Sequence, residues 1–547
     1  MSLRHPTPQT TLVRAVAAIV AVGGLAVVPP ASADTARTET PVVSSSPITS
    51  VTESLVTIAD PLPASDGARP AACDRLSYLR WRDAAGPAES AQADRILLAQ
   101  PGIFEGAGAF DSVARNTVAA AAAQGEHIEF WALDRRSNCL EDHTGEQAAL
   151  KAGDPHIAID YYYRSKQVDG QTFAGFDKTS QDGFLGNVGM AQTVQDEYDL
   201  ITHELPDPAV RQSKLFCGGH SLGGIITGYF AEWDFAGTAG ADQCAGWFAL
   251  DSVVSTQAPI PGLGSMVSDA SAGDPVLELP AVINPETMSL LGLSGLYARL
   301  DPTSTSDLLS YLPVDSNVDI TLRLLFSQDW AHFISGTPSI RDFHFTNQAA
   351  LGALLDNNSM PLGFLETSVG FATGGPIGNK DFPVPNDWLN IPGFEFLGKL
   401  VGTDPKAIPT DPSAHYDWLD YDQVTANSYT SPDKEVSDIH ELARSLSEAP
   451  LDFTEWYFPA KLAFDSLTPG TDVTSHVTHT DGIERHPTLQ VTAGSGVGLG
   501  SGTPPANTTQ VIAPYYHHLD VLTAAPAQNN GKPETVSTNL LTFVLSH

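Results

Sequence analysis

The chain has 547 residues, of which 42% are hydrophobic and 17% are charged, so it exceeds one ordinary domain and has ample material for a core. Its 28 basic and 64 acidic residues give a formal net charge of −36. This acidity disfavours nucleic acids and anionic membrane surfaces as partners.

The first 33 residues have the pattern of an export signal. Arg4 and Arg14 make the start basic, residues 15–28 are apolar, and Ala31-Ser32-Ala33 fits a cleavage site. The apolar run of about 14 residues is short for a membrane span. We therefore predict a signal peptide over 1–33 and a secreted, extracellular protein without an integral membrane segment.

Residues 34–72 are rich in Ser, Thr, Pro and Ala, a composition that predicts a flexible leader. Residues 73–254 then alternate between strand-like and helix-like patterns. The predicted elements, in chain order, are a strand at 95–100, a helix at 109–124, a strand at 127–133, a helix at 189–204, a strand ending at 218, a helix at 225–233 and a strand at 245–250. This order predicts an α/β fold with a doubly wound, mostly parallel sheet.

The alternation breaks near residue 255 and resumes near residue 481. A loop of that size cannot be structureless inside a compact domain, so we interpret 255–480 as an inserted cap or lid domain over the strand ends. Residues 481–547 contain strand patterns at 488–493 and 510–513 and a closing helix near 535–545. They are predicted to complete the core that begins at 73–254.

Four cysteines in an exported chain allow up to two disulfides, with three possible pairings. We favour Cys73 with Cys139. Cys217 and Cys244 could equally be small buried hydrophobic residues. No Cys-x-x-Cys zinc pattern is present.

The pentapeptide GHSLG at 219–223 lies between a predicted strand and a predicted helix. A serine in such a corner needs small neighbours, because the turn strains the backbone and brings it close to the adjacent strand and helix. The pattern therefore predicts a nucleophile elbow with Ser221 as the nucleophile.

A serine nucleophile needs a base, and the sequence YYHHLD at 515–520 follows the last predicted strand. We predict His518 as the base, because the residues after it favour a loop that turns into a short helix. His517 is the alternative.

The orienting acid is the less obvious member of the predicted triad. The segment after the penultimate strand, GSGVGLGSG at 494–502, contains no carboxylate. Asp251 ends an otherwise apolar strand next to the elbow strand, and a buried carboxylate there must be paired or hydrogen-bonded. Asp251 is the predicted acid, with capping of the following turn as its other interpretation. Asp472 and Asp481 are the weaker candidates.

The oxyanion hole needs two backbone N–H groups. The N–H of Leu222 begins the helix after the nucleophile, where the helix dipole favours negative charge. The N–H of Ile103 lies in the turn after the first predicted strand of the core, where Pro101 and Gly102 leave room for a close approach. Both are predicted donors.

The motifs GHSLGG, QPGIF and YYHHLDVLTA, in this order, resemble the α/β-hydrolase superfamily, and within it the secreted lipase- or esterase-like members of actinobacteria. The resemblance covers residues 73–254 and 482–547. It implies an α/β-hydrolase fold, a serine–histidine–acid triad, an acyl-enzyme intermediate and no cofactor. The missing carboxylate after the penultimate strand departs from the family pattern.

We therefore expect a secreted carboxylic ester hydrolase, of esterase, lipase or lactonase type, for small apolar, uncharged substrates. An acyltransferase with the same triad and a non-catalytic hydrolase-like surface protein are the alternatives. The residues Asp472, His476, His479 and Asp481 lie close in sequence, but we interpret them as a solvated loop and predict no metal. The oligomeric state stays open.

Overall fold

The computed structural model describes residues 37–257, 274–278, 283–314, 316–382, 406–448, 453–500 and 504–547. The predicted signal peptide and several parts of the predicted cap, such as 258–273 and 383–405, lie outside the described residues. Arg37–His547 form one compact unit. Among the described residues, none of the helices has both the length and the hydropathy that a membrane span requires.

The strands are numbered in chain order. They are β1 (Thr38–Val42), β2 (Val51–Ala59), β3 (Arg75–Asp83), β4 (Arg95–Gln100), β5 (Ile128–Asp134), β6 (Leu215–His220), β7 (Asp234–Phe235), β8 (Thr238–Ala239), β9 (Gly246–Leu250), β10 (His344–Phe345), β11 (Gly370–Thr373), β12 (Ile377–Lys380), β13 (Lys406–Pro409), β14 (His415–Asp420), β15 (Thr488–Ala493) and β16 (Thr508–Ala513).

The α-helices are numbered in the same way. They are α1 (Asp111–Ala122), α2 (Thr144–Ala152), α3 (His156–Arg164), α4 (Met190–Glu204), α5 (Pro208–Lys214), α6 (Leu222–Glu232), α7 (Pro285–Leu300), α8 (Leu308–Tyr311), α9 (Ser316–Phe326), α10 (Trp330–Ser335), α11 (Asn347–Leu355), α12 (Ile439–Ser447), α13 (Ala460–Leu467), α14 (Thr471–Thr474), α15 (Asp520–Thr523) and α16 (Thr535–Ser546).

Within the described part of the chain, the main sheet has nine strands in the order β1-β2-β3-β5-β4-β6-β9-β15-β16. The six strands from β5 to β16 are parallel. Strands β1, β2 and β3 add to one side in antiparallel fashion. A mostly parallel sheet with this order and a serine elbow after β6 is the α/β-hydrolase fold, as the resemblance implied.

The inner strands explain where a site can form. All residues of β6 and β9 are buried, and so are all of β4 and β5 except Arg95 and Asp134 at their ends. Strands buried on both faces are near-continuous apolar runs, which is why these four were predicted well. Their carboxyl ends meet at one edge of the sheet, and ligands of open α/β sheets bind outside that edge.

The prediction of a flexible leader over 34–72 is wrong for the described residues 37–72. This segment contains β1 and β2, and β2 pairs along its whole length with β3. Val51, Val56 and Ile58 of β2 are buried in the core. The Ser- and Thr-rich composition obscured a run of β-branched residues that fits a half-buried strand.

The described residues between β9 and β15 include helices α7 to α14. They also form a three-stranded sheet, β10-β14-β11, and a two-stranded sheet, β12-β13. The long interval therefore has regular structure of its own, as its length required. Its action as a cap or lid stays a prediction.

The structure contains two disulfides. The favoured pair Cys73–Cys139 is confirmed. Cys217 and Cys244, left open by the sequence, form the second. Cys217 belongs to β6, so this bond ties the elbow strand to the residues just before β9.

Candidate active site

Ser221 lies at the corner between β6 and α6, with φ 51° and ψ −119°. A residue other than glycine rarely adopts a positive φ, and such backbone strain persists only where the surrounding structure enforces it. Two glycines in this corner pack so closely against β4 that no side chain fits at either position. A Cβ atom on Gly223 would lie 2.0 Å from the carbonyl oxygen of Gln100, and one on Gly219 would lie 2.6 Å from the same oxygen. The predicted strand–turn–helix corner is therefore present, and both of its glycines are required.

Hydrogen bonds hold the backbone of Ser221 in place on both sides. Its N–H donates to the carbonyl of Leu250 at the end of β9, over 3.2 Å. Its own carbonyl accepts from the hydroxyl of Ser252 at 2.5 Å. The strained residue is thus fixed to the neighbouring strand, and its side chain stands at the carboxyl edge of the sheet.

His518 and Asp251 are in direct contact. Nδ1 of His518 lies 2.6 Å from Oδ2 of Asp251, and the side chains are 3% and 0% exposed. A carboxylate at this distance makes Nδ1 the donor, so in the neutral imidazole Nε2 is the nitrogen that can accept a proton. The structure brings together the predicted base and the predicted acid, which are 267 residues apart in sequence.

The other partners of Asp251 account for the glycine-rich loop after β15. The Asp251 carboxylate accepts from the N–H of Ala493 at 3.0 Å and more weakly from that of Val497 at 3.4 Å. A Cβ on Gly496 would lie 2.2 Å from Asp251 Oδ2. The end of β15 and the loop after it, where the family pattern has its acid, therefore supply N–H donors to a carboxylate that directly follows β9.

The weaker acid candidates have other partners. Asp472 pairs with Lys461 at 2.9 Å and Asp481 pairs with Arg485 at 3.1 Å, and both carboxylates are half or more exposed. Neither has a hydrogen bond to His518 among the described residues.

His517, the alternative base, belongs to a different network. Its Nδ1 lies 2.7 Å from Glu366 Oε2, and Glu366 also pairs with Lys406 at 2.6 Å. The carbonyl of Glu366 accepts from the N–H of Leu519 at 3.1 Å. Burial alone would lower the pKa of His517, but the Glu366 carboxylate beside it raises this pKa. His517 thus ties the long insertion to the loop that carries His518.

The predicted oxyanion donors lie at the same edge of the sheet. Leu222 is the first residue of α6, and Ile103 is in the loop after β4. Among the described residues no group accepts a hydrogen bond from either N–H. Two unpaired donors, one at a helix N-terminus, are suited to a developing negative charge.

A second carboxylate–histidine pair lies directly beside the first. His220, the residue before the nucleophile, places Nδ1 2.8 and 2.9 Å from the two carboxylate oxygens of Glu105. Its Nε2 donates to the backbone carbonyl of His518 at 3.0 Å, and the two imidazole rings are 4.4 Å apart. Glu105 also accepts from the N–H of Gly102 at 2.6 Å. This pair connects the elbow, the histidine loop and the loop after β4.

Both nitrogens of His220 therefore act as donors, which is the pattern of a charged imidazolium. Burial would lower the pKa of His220, but the charge of Glu105 and their hydrogen bond outweigh it and raise this pKa. Burial would likewise raise the pKa of Glu105, but the charge of His220 and their hydrogen bond lower it. The two groups form a buried ion pair.

The Glu105→Gln variant is expected to lower the free energy of unfolding by about 3 kcal/mol at pH 6, because it leaves a buried cation unpaired. The loss should shrink as the pH rises. His220 has a raised pKa, so its contribution is complete below its unfolded value of about 6.5 and disappears as the pH passes its folded value. Glu105 has a lowered pKa, so its own contribution is lost only in acid.

Urea unfolding of both proteins at pH 6 and pH 9 measures this difference. A destabilisation that stays constant or grows towards pH 9 would contradict the ion pair.

The sequence prediction did not include Glu105 or His220. Together with His518 they place three ligand atoms within 4.8 Å of one another. We interpret them as a hydrogen-bond network, because Glu105 already accepts from Gly102 and His220, and His518 Nδ1 is held by Asp251.

No protein-family model matches the sequence, and no curated protein matches it. Among solved structures, a peroxisomal α/β-hydrolase of Saccharomyces cerevisiae is 13% identical, with 91% of each chain covered and a TM-score of 0.33. A lipase in an open form is 10% identical, covering 93% of this chain and 99% of the other, with a TM-score of 0.30. An α/β-hydrolase fold protein from Nakamurella multipartita is 11% identical, covering 86% of this chain and 96% of the other, with a TM-score of 0.29. These likenesses are weak, so the fold is assigned here from the strand order.

Proposed function

We propose that this protein is a secreted serine hydrolase that cleaves carboxylic esters or lactones through Ser221, His518 and Asp251. The observation that carries the proposal is the buried contact of 2.6 Å between His518 and Asp251. The strained elbow of Ser221 is joined to it through His220, which donates to the carbonyl of His518 at 3.0 Å. Burying a carboxylate and an imidazole costs free energy unless they are paired. Their pairing beside an elbow serine supports a role in removing its proton.

In the proposed mechanism, Nε2 of His518 takes the proton of the Ser221 hydroxyl as its oxygen attacks the ester carbonyl. Asp251 holds the imidazole in the required tautomer and stabilises the imidazolium that forms. The N–H groups of Leu222 and Ile103 stabilise the negative charge on the former carbonyl oxygen. The imidazolium then gives its proton to the leaving alcohol, and water releases the acyl group by the same steps.

The proposed substrates are uncharged and apolar. The net charge of −36 repels anions at long range. Several of the side chains close to the loop after β4 are aromatic and buried, and the charged ones there, Arg135 and Glu455, are paired with each other. Phe104 packs against Phe458 with ring centroids 5.4 Å apart, and Phe453 is buried as well. An apolar acyl or alkyl group suits these surroundings better than a charged one.

A matched pair of chromogenic esters tests the proposal. The p-nitrophenyl ester of pentanoic acid and the p-nitrophenyl monoester of succinic acid have acyl groups of similar length, but only the second carries a charge. We expect turnover of the neutral ester with a kcat/KM at least about tenfold higher, since burying an unpaired carboxylate costs more than 1.4 kcal/mol. Faster cleavage of the anionic ester would contradict the substrate class. If the protein hydrolyses neither ester, no longer neutral homologue and no lactone, the proposed function is contradicted.

A further inference from the structure

Arg135 directly follows β5 and is only 6% exposed. Its guanidinium binds the backbone of the loop after β4. It donates to the carbonyl of Pro101 at 2.9 Å, to that of Glu105 at 3.0 Å and also to that of Gly102. Three carbonyls of one five-residue loop are thus held by a single planar group. The rigid fork of a guanidinium suits this task, whereas an ammonium group is a compact point charge.

The charge of Arg135 is neutralised from the far end of the insertion. Glu455, whose side chain is 0% exposed, accepts from Arg135 at 2.8 and 2.6 Å and also from the hydroxyl of Ser137. The backbone of the same segment pairs with the loop. The N–H of Gly106 donates to Phe453 at 2.9 Å, and the N–H of Glu455 donates to Phe104 at 3.0 Å. The loop after β4 is therefore fixed between Arg135 and residues 453–455.

One of these contacts reaches the proposed oxyanion hole directly. The carbonyl of Gly102 and the N–H of Ile103 belong to the same peptide unit, which is planar and trans. When Arg135 holds that carbonyl, it also fixes the direction of the Ile103 N–H, which points the opposite way. A hydrogen bond from Arg135 to this carbonyl also polarises the peptide unit, which makes the N–H of Ile103 a stronger hydrogen-bond donor.

We propose that Arg135 is a positioning residue that aims the N–H of Ile103 at the developing oxyanion. The inference rests on the proposed function and adds to it a residue whose hydrogen bonds and ion pair, within the described part of the chain, do not involve Ser221 or His518. Because the oxyanion exists only during the reaction, the effect of Arg135 belongs to kcat rather than to KM.

The test compares Arg135→Gln with Arg136→Gln. Arg136 is the adjacent residue and is 3% exposed. It also binds backbone carbonyls, those of Asp60 (2.7 Å) and Cys73 (3.1 Å), and it pairs with the carboxylates of Asp196 (2.8 Å) and Asp60. It differs in the segments it holds, because its carbonyl partners are Asp60 and Cys73 and not residues of the loop after β4. Loss of either arginine should destabilise the fold, so Arg136→Gln controls for burial, charge and carbonyl contacts.

We expect Arg135→Gln to lower kcat for the neutral ester by about 10²-fold with KM within about twofold, since misplacing one oxyanion donor has an effect of that order. The affinity for a trifluoromethyl ketone analogue of the ester, which forms a tetrahedral oxyanion, should fall by a similar factor. Arg136→Gln should keep both values within about threefold. Arg135→Lys should lie between the wild type and Arg135→Gln, and it provides the same readouts at a temperature below its unfolding transition if Arg135→Gln does not fold.

Equal losses of kcat in the Arg135 and Arg136 variants, or an Arg135 variant with wild-type kcat and ketone affinity, would overturn the inference. Ester hydrolysis and ketone binding by the wild type show whether this inference alone has failed or the proposed function as well. If the wild type hydrolyses the ester and binds the ketone while the Arg135 variants match it, only the role of Arg135 is wrong. If the wild type does neither, the proposed function itself is wrong.

Discussion

The Ser221→Ala variant is expected to lose ester hydrolysis by about 10⁶-fold in kcat while remaining folded, since removal of a triad nucleophile has an effect of that order. The hydroxyl is the atom that attacks, and no other group in the site replaces it. The fold should be retained because the contacts that hold Ser221 involve its backbone. Its N–H bonds to Leu250 and its carbonyl bonds to Ser252, and both bonds are available to alanine.

Ser252→Ala is the matched control for this change. It removes a neighbouring buried hydroxyl, which donates to the carbonyl of Ser221, but keeps the nucleophile. We expect it to lower kcat by no more than about tenfold, because one supporting hydrogen bond is worth about 1 kcal/mol. Initial rates with the neutral ester, together with thermal unfolding of each variant, measure both effects. Full esterase activity in Ser221→Ala would contradict the assignment of the nucleophile.

The Asp251→Asn variant is expected to lower kcat by about 10⁴-fold, as loss of the orienting carboxylate does in serine hydrolases. An asparagine amide at this position presents an N–H to Nδ1 of His518 and so favours the tautomer with the proton on Nε2. That tautomer cannot accept the proton of Ser221. The variant should still fold, because its carbonyl oxygen can accept the N–H of Ala493 as the carboxylate does.

Asp472→Asn and Asp481→Asn serve as controls, since both were candidates for the acid. Their carboxylates pair with Lys461 and Arg485 on the surface, so their removal should leave kcat within about twofold. The neutral ester assay on the three variants decides among the acids. A large loss in either control, with activity kept in Asp251→Asn, would contradict the role of Asp251.

The inner strands of the main sheet could be predicted from the sequence because they are almost completely buried. β4, β5, β6 and β9 are runs of apolar residues bounded by turn residues, so their pattern is visible without knowledge of the partner strands. Asp251 was predicted for a related reason, because a carboxylate at the end of an apolar strand needs a partner. β1 and β2 were missed because Ser, Thr and Pro dominate the composition around them, while the β-branched residues of β2 carry the strand signal.

The supporting contacts of the site could not be predicted, because no motif in the sequence marks the residues that make them. Glu105 and His220 are 115 residues apart, and Arg135 and Glu455 are 320 residues apart. No periodicity or spacing links such positions, and each residue alone is compatible with an ordinary loop. The sequence shows a glutamate three residues after Gly102, but its role depends on the fold, which buries it and brings His220 to it.

The measurement that tests the central claim most directly is labelling with a fluorophosphonate probe, followed by peptide mapping of the modified residue. The reagent reacts with a serine that a neighbouring base has activated. We predict stoichiometric label on Ser221 in the wild type, no label in Ser221→Ala, and labelling slowed by orders of magnitude in Asp251→Asn. A folded wild-type protein that stays unlabelled, or label on a different residue, would contradict the proposed triad.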